Sequence, residues 1–227
     1  MGSLGNGIRM KWPFYALWLA LLALTGCGTA SHEPENIFRV KQQIRAYVDS
    51  GQYNRDITAV ASQAGAWVNQ RAAKRVAGEK LAVVFDLDET LLSNWPSISA
   101  QDFGYIPAAW DAWVAEGKAP AIESVRDFYR AVRQAGVQVI FLTGRRERDR
   151  PGTEKNLRAI GCGEYASLIF KPNESKEKTG VFKTAQRQRL TAEGWLIIAN
   201  LGDQESDLAG GYAERTFKLP DPFYLTE

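Results

Sequence analysis

The sequence predicts an α/β protein with a central parallel sheet and helices on both faces, and three features carry that expectation. Short apolar runs alternate with segments of helical period from residue 36 onward, the pattern that builds parallel sheets. The first run, Leu81-Ala82-Val83-Val84-Phe85, is followed at once by Asp86 and Asp88, which places carboxylates where open α/β sheets gather ligands. A later run, Trp195 to Leu201, is closed in the same way by Gly202-Asp203. Grouped like charges repel unless a cation or a proton is shared between them, so Mg2+ is the expected companion of these strand ends.

Taken in order, the chain begins with a leader. Arg9 and Lys11 precede an apolar run, Trp12 to Leu24, too short for a comfortable bilayer span and ending in Leu24-Thr25-Gly26-Cys27. Residues 1–26 are expected to be a signal peptide and 27–35 a polar tether. The remaining 36–227 suit one domain with additions. Ile37, Val40, Ile44, Tyr47 and Val48 recur at helical spacing before Gly51, and Ile57, Val60, Ala61, Ala64, Trp67 and Val68 stripe a second helix expected to reach about Gly78. These two helices, 36–78, should brace the core. After the first strand, 93–119 breaks the rhythm with Trp95, Phe103, Tyr105, Trp110 and Trp113; this insertion either roofs the site or forms a small satellite core.

The alternation then resumes. Ile122 to Val132 make a helix ended by Gly136, Val137 to Leu142 a strand, and Thr143-Gly144-Arg145 its carboxyl end. Thr153 is expected to cap a short helix stopped by Gly161, Ser167 to Phe170 to form a third strand, and Lys183 to Leu190 a helix that Lys183 opens. Arg215 to Leu219 gives a fifth strand before Pro220 and Pro222.

Composition narrows the function classes. With 45% hydrophobic and 24% charged residues and a net charge of +2, the chain is ordinary for a globular protein and argues against a nucleic-acid partner. Two cysteines and one histidine exclude a disulfide framework, a zinc cluster and any phosphatase built on histidine nucleophiles or binuclear histidine sites. Phosphate chemistry here would have to run through carboxylates.

The stretch DLDETLL resembles the first motif of the haloacid dehalogenase (HAD) superfamily of phosphatases. Three further groups follow in the order such enzymes require: Thr143 in FLTGR, Lys183 in VFKTAQRQRL, and Asp203 with Asp207 in GDQESD. The segments KTGVFKTAQRQRL, GWLIIANLGDQESDLAG and RTFKLPDPFYL are similar to those of the acid phosphatase subfamily (class B/IIIB-like) that includes plant vegetative storage proteins and bacterial lipoprotein acid phosphatases. This resemblance implies a HAD-like, Rossmannoid three-layer sandwich with a small cap inserted after the first strand. It implies Asp86 as nucleophile, Asp88 as general acid and base, and Mg2+ held by the Asp86 carboxylate, the Asp88 carbonyl and Asp203, with Asp207 in support. Thr143, Gly144 and Lys183 would bind the phosphoryl oxygens of a small-molecule phosphomonoester. Lys171 also follows a strand and rivals Lys183, but the twenty-residue spacing from Lys183 to Asp203 fits the family better.

Leu-Thr-Gly-Cys resembles the bacterial lipobox, which implies lipid on Cys27 and display from a bacterial membrane, with the periplasmic face of the outer membrane expected. The activity implied is a Mg2+-dependent acid phosphatase working through an aspartyl-phosphate. The alternative is a storage or binding lipoprotein that keeps the fold with weak or no catalysis. A receiver domain is disfavoured by the second aspartate of DLD.

Overall fold

Five strands, β1 (Lys80–Phe85), β2 (Gln138–Arg146), β3 (Ser167–Lys171), β4 (Trp195–Gly202) and β5 (Thr216–Lys218), form one parallel sheet in the order β3-β2-β1-β4-β5. The computed structural model describes residues 1–2 and 33–226, so the leader and Cys27 lie outside the described residues. Residues 36–227 make one compact unit.

Period-two alternation splits the apolar runs between two cores. Leu81, Val83 and Phe85 of β1 and Val139 and Phe141 of β2 face one side; Ala82, Val84, Ile140 and Leu142 face the other. The larger core is covered by α2 (Gln52–Ala73), α5 (Glu123–Gln134) and α6 (Arg150–Ala159), which contribute Ile57, Ala64, Val68, Val125, Phe128 and Leu157. The smaller is closed by α7 (Thr179–Ala192) through Phe182 and Leu190. The result is the three-layer sandwich expected from the sequence, with β1 and β4 central and their carboxyl ends side by side.

Several boundaries differ from expectation for identifiable reasons. Helix α2 ends at Ala73, short of Gly78, because Arg71 turns to pair with Glu79 (2.7 Å) and Glu214 (3.0 Å) and closes the link to β1. The first helix, α1 (Ile37–Asp49), buries no residue fully. It braces the insertion as much as the sheet: Lys41 and Arg45 reach Asp102 (2.7 and 3.2 Å), and the Arg45 guanidinium lies over Phe103 at 5.2 Å. Thr153 does not cap α6, which starts at Arg150 with Pro151 in its first turn; its hydroxyl instead accepts from Arg145 (3.0 Å) and donates to the Asp149 carbonyl (2.8 Å). Strand β2 runs on through Thr143-Gly144 to Arg146, which pairs with Lys171 after a register shift.

The insertion folds as α3 (Trp95–Ala100) and α4 (Pro107–Glu116). Gly152 fixes how α4 meets α6, since a Cβ there would stand 2.2 Å from the Val114 carbonyl oxygen. Gly152→Ala must push the insertion off α6 at a cost of ~1–3 kcal/mol. A melt should therefore fall by about 3–10 °C, and an unchanged midpoint would show that the contact yields freely.

Candidate active site

Asp86 follows β1 directly, and its N–H donates to the Leu201 carbonyl (3.0 Å), so the strand ladder itself holds the backbone that carries the carboxylate. Lys183 meets it from α7. The lysine is buried, donates to Asp86 Oδ1 and to Asp207 Oδ1 (2.6 Å), and stays protonated because these carboxylates outweigh the cost of burial. It does not open its helix. Helix α7 starts at Thr179 and Lys183 sits one turn in, with Gly180 of the first turn in ordinary contact with Ser206.

The acidic group is completed from β4 and α8 (Glu205–Leu208). Oxygens of Asp86, Asp203 and Asp207, all buried, lie within 4.8 Å of one another. Asp207 can approach because position 202 is glycine; a Cβ there would stand 2.4 Å from the Asp207 Cβ. Its far oxygen accepts from the Gln204 N–H (2.8 Å), and Arg187, fully buried, donates to its carbonyl (2.6 Å), so the residue is fixed on both sides. Among the described residues Asp203 meets no cation: it accepts from Thr90 Oγ1 (2.9 Å) and Gln204 Nε2 (2.7 Å), and the Asp221 carboxyl lies beside it.

Among the described residues three buried carboxylates are grouped beside one ammonium, Lys183, which pairs with Asp86 and Asp207 but not with Asp203, so an excess of negative charge is left in a buried place. Burial, reinforced by Asp86 and Asp207, pushes Asp203 well above the ordinary carboxylate range. Burial also lifts Asp86, to about 7, against the opposing pull of Lys183. Such a set of hard oxygen donors with unmet charge fits a small divalent cation. Asp203 and Asp86 are the groups best placed to hold it, since Asp86 keeps Oδ2 clear of Lys183 whereas both oxygens of Asp207 are taken, one by Lys183 and one by the Gln204 N–H.

Asp88 is held differently. Its carboxylate is half-buried and takes a bidentate grip from Arg145, at 2.6 Å from Nη2 to Oδ1 and 3.0 Å from Nε to Oδ2, with Asn94 Nδ2 at 2.8 Å. Burial alone would raise this carboxyl, but Arg145 and Asn94 overcome it and keep Asp88 below the usual range. The sequence places Arg145 only at the carboxyl end of the second strand, with no role assigned to it. In the fold it is buried at the end of β2, 5.6 Å over the Trp110 ring.

Thr143 is fully buried and accepts from the Arg145 N–H (3.1 Å), beneath the cavity surface, whereas Gly144 lines it. Lys171, the rival lysine, is turned to the Glu177 carbonyl and does not line the cavity. The cavity has a volume of about 640 Å3, and Asp86, Asp88, Lys183 and Asp203 share it with Trp110, Tyr105 and the tail residues Tyr224 to Thr226. Trp113 is not a lining residue; its indole N–H donates to Asn94 Oδ1 (2.8 Å) behind the site. The tail was unforeseen. Its Asp221 shares Gln204 Nε2 with Asp203 (2.6 Å), and the Tyr224 hydroxyl reaches Glu89 (2.9 Å).

A parallel sheet with this acidic centre beyond β1 and β4 and a helical insertion after β1 defines a HAD-type α/β protein. The chain belongs to the HAD superfamily, subfamily IIIB (acid phosphatase), whose family pattern matches residues 26–227. Acid phosphatase 1 of Solanum lycopersicum is 35% identical over 186 residues, covering 80% of this chain and 72% of that protein. Vegetative storage protein 1 of Arabidopsis thaliana is 32% identical over 229 residues, covering 96% and 81%. The class C acid phosphatase of Bacillus anthracis shares the fold, with a TM-score of 0.68 at 22% identity over 82% of this chain and 86% of that one.

Proposed function

We propose that this chain is a Mg2+-dependent phosphomonoesterase that turns over through an aspartyl-phosphate on Asp86. The observation that carries the reading is the convergence of Asp86, Lys183, Asp203 and Asp207 on one cavity that also holds Asp88. Asp86 Oδ1 is occupied by Lys183, which leaves Oδ2 to attack phosphorus in line as the P–O bond to the leaving group breaks. An ammonium has three donors and Lys183 spends two on carboxylates, so the third is available to a phosphoryl oxygen. The Gly144 segment supplies the facing wall, and Thr143 beneath it holds the Arg145 N–H. Bound at Asp86, Asp203 and the Asp88 carbonyl, Mg2+ would supply charge neutralisation at the transferred group.

Asp88 gives its proton to the departing alkoxide and, as carboxylate, takes one from the water that cleaves the acyl phosphate. Arg145 holds the resting residue in the carboxylate form, the form that second step needs. An arriving phosphate dianion raises its proton affinity for the first. The direct test is phosphate release from a panel of aryl and alkyl phosphomonoesters in Mg2+ and in EDTA. Release from none of them would favour the second reading, a storage protein like the Arabidopsis relative by name.

Trp110 forms part of the wall facing the leaving group. Trp110→Ala should lower kcat/KM for organic esters about 5- to 150-fold, the worth of a lost ~1–3 kcal/mol aromatic contact. Inhibition by inorganic phosphate should hardly change, and equal losses for both would mean that the ring serves only Arg145.

The leader and Cys27 support export with lipid attached at Cys27, facing the periplasm from the outer membrane. No helix among the described residues is long and apolar enough to cross a membrane. Two or more acyl chains would be needed for a firm hold. The mass of the mature chain recovered from a bacterial membrane fraction checks this: a chain starting at lipidated Cys27 is expected, and an unmodified Cys27 would overturn it.

A further inference from the structure

We infer that Asn94 is a positioning residue for Asp88, and that Trp113 of the insertion and Tyr224 of the C-terminal tail act through it. The inference rests on Asp88 being the proton-transfer group.

Asn94 is buried with every polar atom of its side chain engaged. Its two amide N–H groups go to Asp88 Oδ1 (2.8 Å) and Glu89 Oε2 (2.9 Å), while its Oδ1 accepts from Trp113 Nε1 (2.8 Å). The indole N–H is a donor only, so the amide oxygen must face Trp113 and the NH2 must face the carboxylates; no flipped arrangement satisfies the same neighbours. Glu89 fixes the other half of the residue. It is fully buried at φ 51°, an uncommon conformation for a side chain with a Cβ, and takes the Asn94 N–H on Oε1 (2.6 Å). Its Oε2 also accepts the Tyr224 hydroxyl (2.9 Å).

The consequence lies in how the two oxygens of Asp88 are divided. Oδ1 carries Arg145 Nη2 and Asn94 Nδ2, whereas Oδ2 carries only Arg145 Nε. Oδ2 is therefore the oxygen with capacity to exchange a proton with leaving group or water, and Asn94 is the donor that stops the carboxylate from rotating the two into one another's place. Closing the insertion and seating the tail both tighten this one amide.

The test is the leaving-group dependence of kcat/KM, measured with nitrophenyl phosphates, which need little protonation, and simple alkyl phosphates, which need it fully. Asp88→Asn serves as the reference. Asn94→Ala should lose about 10- to 100-fold on alkyl phosphates, part of the ~10²–10⁴ that a positioned acid contributes, and less than about threefold on nitrophenyl phosphates. Trp113→Phe and Tyr224→Phe each delete one neutral hydrogen bond and should show the same selectivity at about fivefold. Tyr224→Phe keeps its ring packing and so decides the matter if Asn94→Ala fails to fold. Should Asp88→Asn be selective while all three variants lose uniformly or not at all, the positioning role is overturned and Asp88 keeps its own. A non-selective Asp88→Asn overturns the acid assignment and the positioning role together.

Discussion

Asp86→Asn should abolish phosphate release while leaving the protein folded. The amide has the shape of the carboxylate, keeps an oxygen for Lys183, and lacks the charge to attack phosphorus, so a loss of about 10⁴-fold or more in kcat is expected, the scale seen when a covalent nucleophile is deleted. The stability effect has the opposite sense from most buried substitutions. Asp86 and Asp207 both lie against Lys183, and burial with repulsion from Asp207 and Asp88 already strains Asp86 toward its protonated form. Removing one negative charge relieves that repulsion, and Lys183 keeps Asp207 as its ion-pair partner. The metal-free variant should melt no earlier than the metal-free parent. Retained turnover would sink the nucleophile assignment, whereas lost turnover with a sharply lower melt would place Asp86 in the scaffold instead.

How much of this site could be read before the fold was known depends on the range of each interaction. Asp86, Asp88, Asp203 and Asp207 were legible because each follows an apolar run within a few residues, and a strand end is a local property. The five strands were legible for the same reason, to within a residue or two, except β2. There Thr143-Gly144 reads as a strand end, yet the chain stays extended to Arg146 because Arg145 is drawn inward by Asp88. That pair spans 57 residues, and no local pattern announces it. Lys183 was misplaced within its helix because glycine is a poor helix former and the helix is read as starting after Gly180, whereas α7 begins at Thr179. Trp113 was grouped with Trp110 as a possible roof, but one turn further along α4 it meets Asn94 behind the site, while Trp110 alone of the two lines the cavity. The tail was legible only as the family-like segment RTFKLPDPFYL and not as part of the site, since nothing short of the folded sheet brings Asp221 and Tyr224 beside Asp203 and Glu89.

Removing the metal should have the second largest effect, and it should be visible in stability as well as in rate. EDTA is expected to reduce phosphate release by about 10²–10³-fold, as loss of several kcal/mol of charge neutralisation at the transition state implies, and Mg2+ should restore it. An ion that binds only the folded chain stabilises it by ~2.7 kcal/mol at a hundred times its Kd. At 2–4 °C per kcal/mol, roughly the scale for a chain of this size, the melt should rise by about 5–10 °C. The pH dependence gives a sharper signature. In the metal-free protein Asp86 is raised from 3.8 to about 7 and Asp203 moves in the same direction, so across that window the folded state holds protons that the unfolded chain has released. Stability must then fall as pH rises from about 4 toward 7. Glu89, lifted to about 8, and Asp221, lifted to about 6, tilt the metal-free curve in the same direction. The informative quantity is therefore the difference between the Mg2+ and EDTA melts, which should grow with pH as the ion takes the place of the protons. Asp203→Asn should erase most of that difference by removing the carboxylate that meets no counterion. A Mg2+ effect that is absent at every pH, or that survives undiminished in Asp203→Asn, would remove the cation from this site.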